Sequence, residues 1–150
     1  MLKTIDPRIT PDLMDCLMRM GHGDEIVVVD ANYPAESTAV HTVHGAVVRL
    51  PAIDAPEAIR LITGLMPLDG FTDYCVLRME IDNSPDELGD VHREALAIID
   101  SEKPEGAAVK GIERQDFYQH ARTAYAVVAT TEARPFGCFV LRKGVIFPEA

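Results

Sequence analysis

The stretch GHGDEIVVVDANYPAES (21–37) sets a histidine between two glycines and ends a valine-rich run on an aspartate. An imidazole gives or takes a proton near neutral pH, and glycines on either side leave His22 uncrowded. Asp30 falls where a strand would finish, which in open α/β sheets is where ligands gather. Together they suggest a pocket holding His22 and Asp30 as an acid/base pair. Each also has a plainer reading: His22 as a turn that caps the helix before it, Asp30 as a cap for the turn after it. Asp24 and Glu25 read as the solvated start of the strand, and Asn32 and Tyr33 as polar tips on a turn fixed by Pro34.

A second group lies late in the chain: Arg114, Tyr118, Tyr125, Glu132, Arg134, Phe136, Gly137 and Cys138. Arg114 opens a helix after a strand. Cys138 has no adjoining histidine or helix start to activate it, so it is not read as a nucleophile. His41 and His44 are spaced i, i+3 without an HExxH context, and a metal set of His22, Asp24 and Asp30 is a minor alternative. The expected metal set is none. His92 and His120 are read as incidental residues on helix surfaces.

These residues need elements to position them. Thr10-Pro11-Asp12 is a helix start, and Leu13, Met14, Leu17 and Met18 give its apolar stripe up to Gly21. EIVVVDA (25–31) reads as a strand covered on both faces, and AVVRL (46–50) as a second strand. Asp54-Ala55-Pro56-Glu57 opens a helix to about Leu65. YCVLRME (74–80) is a strand, and Ser84-Pro85-Asp86-Glu87 is expected to open a helix running to about Asp100. AAVKGIE (107–113) is a strand, 114–124 a helix, and YAVVATTE and CFVLRKGV are two closing strands. The alternation predicts a single-domain (1–150) layered α/β/α fold with helices on both faces of a central sheet.

Composition narrows the function. A net charge of −10 without any basic run disfavours nucleic acid and anionic membranes, both of which require Lys and Arg against phosphate. No apolar run approaches the roughly 18 residues of a membrane helix. MLKTIDPRIT has no apolar signal core, and the scattered Cys16, Cys75 and Cys138 suit free thiols, so a cytoplasmic location is expected. No GxGxxG, P-loop or GxSxG occurs, and no cofactor is expected.

MGHGDEIVVVDANYPAES closely resembles the signature of the ribose pyranase and fucose mutarotase family. The resemblance extends through LKTIDPRITPDLMDCLMRMGHGDEI, LITGLMPLDGF, GIERQDFYQHARTAYAVVAT and FVLRKGV, and so over nearly the whole chain; 80–106 is least distinctive. GHGDEI…DANYPA together with ERxxFY…ARTAYAVV leans toward the fucose mutarotase branch. The resemblance implies cofactor-independent interconversion of the anomers or ring forms of a free monosaccharide, L-fucose foremost. A ribose-acting pyranase is a near neighbour, and a non-catalytic sugar-binding or transport-accessory protein is the alternative from another class. It places the proton donor on His22, a sugar-binding carboxylate on Asp30 and a substrate-binding arginine on Arg114. The family's late Tyr-Gly-Asn loop falls on Phe136, Gly137 and Cys138, so a phenol and a carboxamide are replaced by an apolar ring and a weak thiol. The resemblance further implies a ring-shaped homo-oligomer, a decamer, with each site completed by a neighbouring subunit.

Overall fold

The computed structural model describes residues 1–149. Six strands, β1 (Glu25–Val29), β2 (Val47–Arg49), β3 (Val76–Met79), β4 (Val109–Ile112), β5 (Ala126–Ala129) and β6 (Phe139–Arg142), form one sheet in the order β2-β5-β1-β6-β3-β4. β1 pairs in parallel with β5, β5 with β2, and β3 with β4, while β6 is antiparallel to both β1 and β3. Thus β6 alone runs against the other five, and its first residues lie at the carboxyl edge of the rest.

Every residue of β1 is buried. Ile26 and Val28 point into one core and Val27 and Val29 into the other, as the two-residue period of a strand requires. The first core is closed by α1 (Pro11–Arg19), α3 (Ala55–Thr63) and α4 (Asp90–Glu102), through Leu13, Ile59, Ile62 and Ile99. The second lies under α2 (Ala35–Ala39) and α5 (Arg114–Ala121), through Ala39, Phe117 and Ala121. The layered α/β/α expectation is met.

The helix starts follow their capping residues. Thr10 Oγ1 accepts from Leu13 N–H (3.3 Å), and Asp54 Oδ1 accepts from Glu57 N–H (2.9 Å). Glu113 Oε2 takes the N–H groups of Gln115 and Asp116. Two differences from the sequence reading stand out. The short α2 is additional. And α4 begins at Asp90, because Ser84–Glu87 is spent on turns: Ser84 N–H donates to Ile81 O, Glu87 N–H to Ser84 O, and the Arg78 guanidinium holds Pro85 O. Gly89 is the cap, its N–H donating to His92 Nδ1 (3.1 Å).

Candidate functional site

At the carboxyl edge of the sheet, Asp30 follows β1, and Phe136, Gly137 and Cys138 lead into β6. Asp30 is 7% exposed. Its carboxylate Oδ1 accepts from Asn32 N–H (3.0 Å), and its own N–H donates to Cys138 Sγ (3.5 Å). Burial pushes the Asp30 carboxyl above its ordinary value; the donors around it, including the Asn32 and Gly137 amides, offset only part of that. Cys138 is buried beneath it, its thiol driven well up by burial and then by the Asp30 charge, so it is a floor and not a nucleophile.

Arg114, at the start of α5, reaches the same place. Its Nε donates to both oxygens of Asp82 (3.0 and 3.1 Å), Nη1 to Tyr118 OH (3.4 Å), and the guanidinium lies 5.7 Å from the Tyr118 ring centroid. Asp30, Asn32, Tyr33, Arg114, Tyr118 and Phe136 are the chief walls of a cavity of about 130 Å³. That is well below the ~300–1,000 Å³ of drug-sized clefts. The arrangement offers a carboxylate and a guanidinium to hydroxyl groups, with aromatic faces for C–H surfaces.

The loop before β6 is held by residues outside this cavity. Phe136 has a left-handed backbone, φ 61°, and its carbonyl accepts from His92 Nε2 (2.9 Å). Gly137 does not line the cavity. It is there because a Cβ would come within 2.9 Å of Glu132 Cγ and 3.2 Å of Val91 Cγ2. Buried Glu132 accepts from Arg134 and from Ala55 N–H, and Arg134 also reaches Glu94. His92 is therefore no surface residue: it is 0% exposed and bridges α4 to this loop. With Nδ1 accepting from Gly89, the Nε2 proton goes to Phe136 O. Burial lowers its affinity for a second proton.

His22 is elsewhere. It precedes β1, whereas Asp30 follows it, so five strand residues separate them, about 16 Å at roughly 3.3 Å each. One chain does not bring the two into a single pocket. Nor does His22 cap α1; the Lys143 ammonium does, donating to Leu17 O (2.9 Å) and Met20 O (2.5 Å). His22 Nε2 is 2.9 Å from Asp69 Oδ1, with the ring edge-on to Phe71 (5.8 Å, 73°). Gly23 turns the chain into β1 with φ +87°.

Glu25, read as solvated, is buried. It takes hydrogen bonds from Tyr74 OH (2.7 Å), His120 Nε2 (2.8 Å) and Arg142 Nε (3.3 Å), so His120 is likewise not incidental. Burial opposes ionisation of Glu25, and these partners more than reverse it. Asp69, Asp82, Glu25 and His92 are the positions the residue pattern does not single out. For Asp69 a local signal exists: Asp-Gly-Phe-Thr has the composition of an Asx turn.

The profile of the RbsD / FucU transport protein family matches residues 3–146. The L-fucose mutarotase of Haemophilus influenzae (strain 86-028NP) is 36% identical over 145 residues, 97% of each chain. Among solved structures, protein Atu2016 is 41% identical with a TM-score of 0.93, covering 98% of this chain and 97% of that one. The fucose mutarotase of Streptococcus pneumoniae, solved in complex with L-fucose, is 36% identical with a TM-score of 0.86, covering 97% and 100%.

Proposed function

The chain belongs to the RbsD / FucU transport protein family, and from that premise we propose that it is a cofactor-independent mutarotase interconverting the anomers of a free monosaccharide, L-fucose foremost. The observation that carries this reading is the small cavity at the carboxyl edge of the sheet, which buried Asp30 and tethered Arg114 line together with Tyr33, Tyr118 and Phe136. Both groups bind sugar hydroxyls, with Phe136 at the rim and Cys138 at the floor, and Gly137 lets the loop that carries them pack against Glu132 and Val91.

His22 is the proton donor. Its proton goes to the ring oxygen and the C1–O bond to that oxygen breaks. The electrons of the anomeric O–H bond form the carbonyl, and that proton leaves to water. Rotation about C1 and the reverse steps give the other anomer. The reaction runs slowly in water unaided, so the ~10²–10⁴-fold of a positioned acid is sufficient.

Because His22 and Asp30 lie at opposite ends of β1, His22 of one copy acts on the cavity of the next, in a ring-shaped homo-oligomer for which a decamer is the expected count. The exposed Phe71, Ile146 and Phe147 supply apolar surface for that contact. No helix among the described residues is long and apolar enough to cross a membrane, and three free, buried cysteines suit a cytoplasmic protein. A second reading, a sugar-binding or transport-accessory protein without turnover, draws on Phe136 and Cys138 standing where a phenol and a carboxamide are expected.

Exchange NMR of anomeric protons decides between them, with L-fucose, D-ribose and a small sugar panel on wild type and His22→Ala. Accelerated exchange lost in His22→Ala is the expected result. Saturable binding without acceleration in wild type would establish the second reading.

A further inference from the structure

We propose that Asp69 is the positioning residue for His22, and that it assigns the proton-exchanging role to His22 Nδ1. The inference deepens the mutarotase reading and rests on His22 being its proton donor.

The Asp69 side chain has no exposure, whereas His22 is 44% exposed. Its backbone is fixed to the end of β6, where Asp69 N–H donates to Arg142 O (3.0 Å) and Gly144 N–H to Pro67 O (2.8 Å). Three donors of its own turn converge on the carboxylate: Phe71 N–H (3.1 Å), Thr72 N–H (3.1 Å) and the Thr72 hydroxyl. Arg142 Nη1 donates to the same Thr72 oxygen (2.8 Å), which leaves that hydroxyl as a donor. The turn is complete with these three. The fourth donor, His22, comes from 47 positions earlier.

A carboxylate surrounded by donors can only accept. Burial alone would raise its pKa; the bonds from Thr72, His22 and Phe71 hold it at about 2. Asp69 is therefore ionised at any working pH, and His22 Nε2 must carry the hydrogen between them. In the neutral ring Nδ1 then bears the lone pair, and in the imidazolium it bears the proton to be given. Among the described residues Nδ1 has no hydrogen-bond partner, and the ring forms a T-shaped contact with Phe71.

The test begins on unaltered protein. Long-range ¹H–¹⁵N spectra of histidine-labelled enzyme, in the neutral-imidazole range, should show His22 as the Nε2–H tautomer; a dominant Nδ1–H tautomer would overturn the assignment. Asp69→Asn should then shift the population toward Nδ1–H. It should lower kcat for anomer exchange about 10–100-fold, less than the ~10²–10⁴-fold of losing a positioned acid outright, with KM changed less than about twofold. Unchanged kcat would overturn the positioning role. If Asp69→Asn does not fold, the wild-type tautomer decides. His22→Ala in the same assay separates the two readings: exchange surviving there removes the proton-donor role, while the tautomer spectrum still judges the Asp69 pairing.

Discussion

Asp30 and Asp69 are both buried aspartates, and their environments push them in opposite directions. Asp30 is raised because its few amide donors do not repay desolvation; Asp69 is lowered to about 2 because four donors more than repay it. For Asp69 the folded value lies below its ordinary 3.8, so its stabilisation is complete above about pH 4 and is lost as pH falls through about 2. The Tm difference between wild type and Asp69→Asn should accordingly be largest at neutral pH and close toward pH 2 in a calorimetric series. At the rim, Phe136→Tyr with Cys138→Asn restores a phenol and a carboxamide and is expected to raise exchange of L-fucose; no gain would point to another sugar. The Asn is placed in a closed floor under Asp30, so that double variant should also lose about 1–3 kcal/mol in denaturant unfolding. His22, Asp30 and Arg114 stand out in the sequence because their chemistry is unusual beside glycines and at element ends. Asp69 and His92 do not, because what distinguishes them is a partner 47 and 44 positions away.

The elements were legible wherever burial and capping agree. β1 shows as a valine run since both its faces are covered, and α1, α3 and α5 begin at side chains that accept their first N–H groups. The start of α4 is hidden because Ser-Pro-Asp-Glu has the composition of a helix start and of a turn, and the bond from Arg78 to Pro85 O favours the turn. The true cap, Gly89 with His92, resembles no common capping pair. That helix start bears directly on the cavity loop. His92→Leu removes the partners of the half-buried Gly89 N–H and Phe136 O, at about 1 kcal/mol for each hydrogen bond lost. It should lower Tm and raise KM for sugar together, read by thermal melts and saturation kinetics. Gly137→Ala should cost more stability than Gly111→Ala. The first meets Glu132 and Val91 inside packed structure, whereas the second meets chiefly the Glu80 side chain, which can swing away.

Over the whole molecule the net acidic charge is legible from composition alone, but the distance between His22 and Asp30 is invisible until β1 is placed end to end between them. If the pocket is shared between copies, two individually inactive proteins should cure each other. Co-assembled His22→Ala and Asp30→Ala chains, mixed equally, should regain roughly a quarter of wild-type exchange, the share of junctions in which both contributors are intact. Chains carrying both substitutions, mixed with wild type, give the comparison. Recovery absent from an assembly shown to be mixed would place the whole reaction on one chain.

The strand separating the two groups has an arithmetic consequence. On the proposed sharing of donor and receptacle between neighbouring copies, an open row would finish with one unused donor and one unused receptacle, hence one working junction fewer than its members. Only when the last copy meets the first is each member matched, so the turnover per chain would register whether the circle is closed.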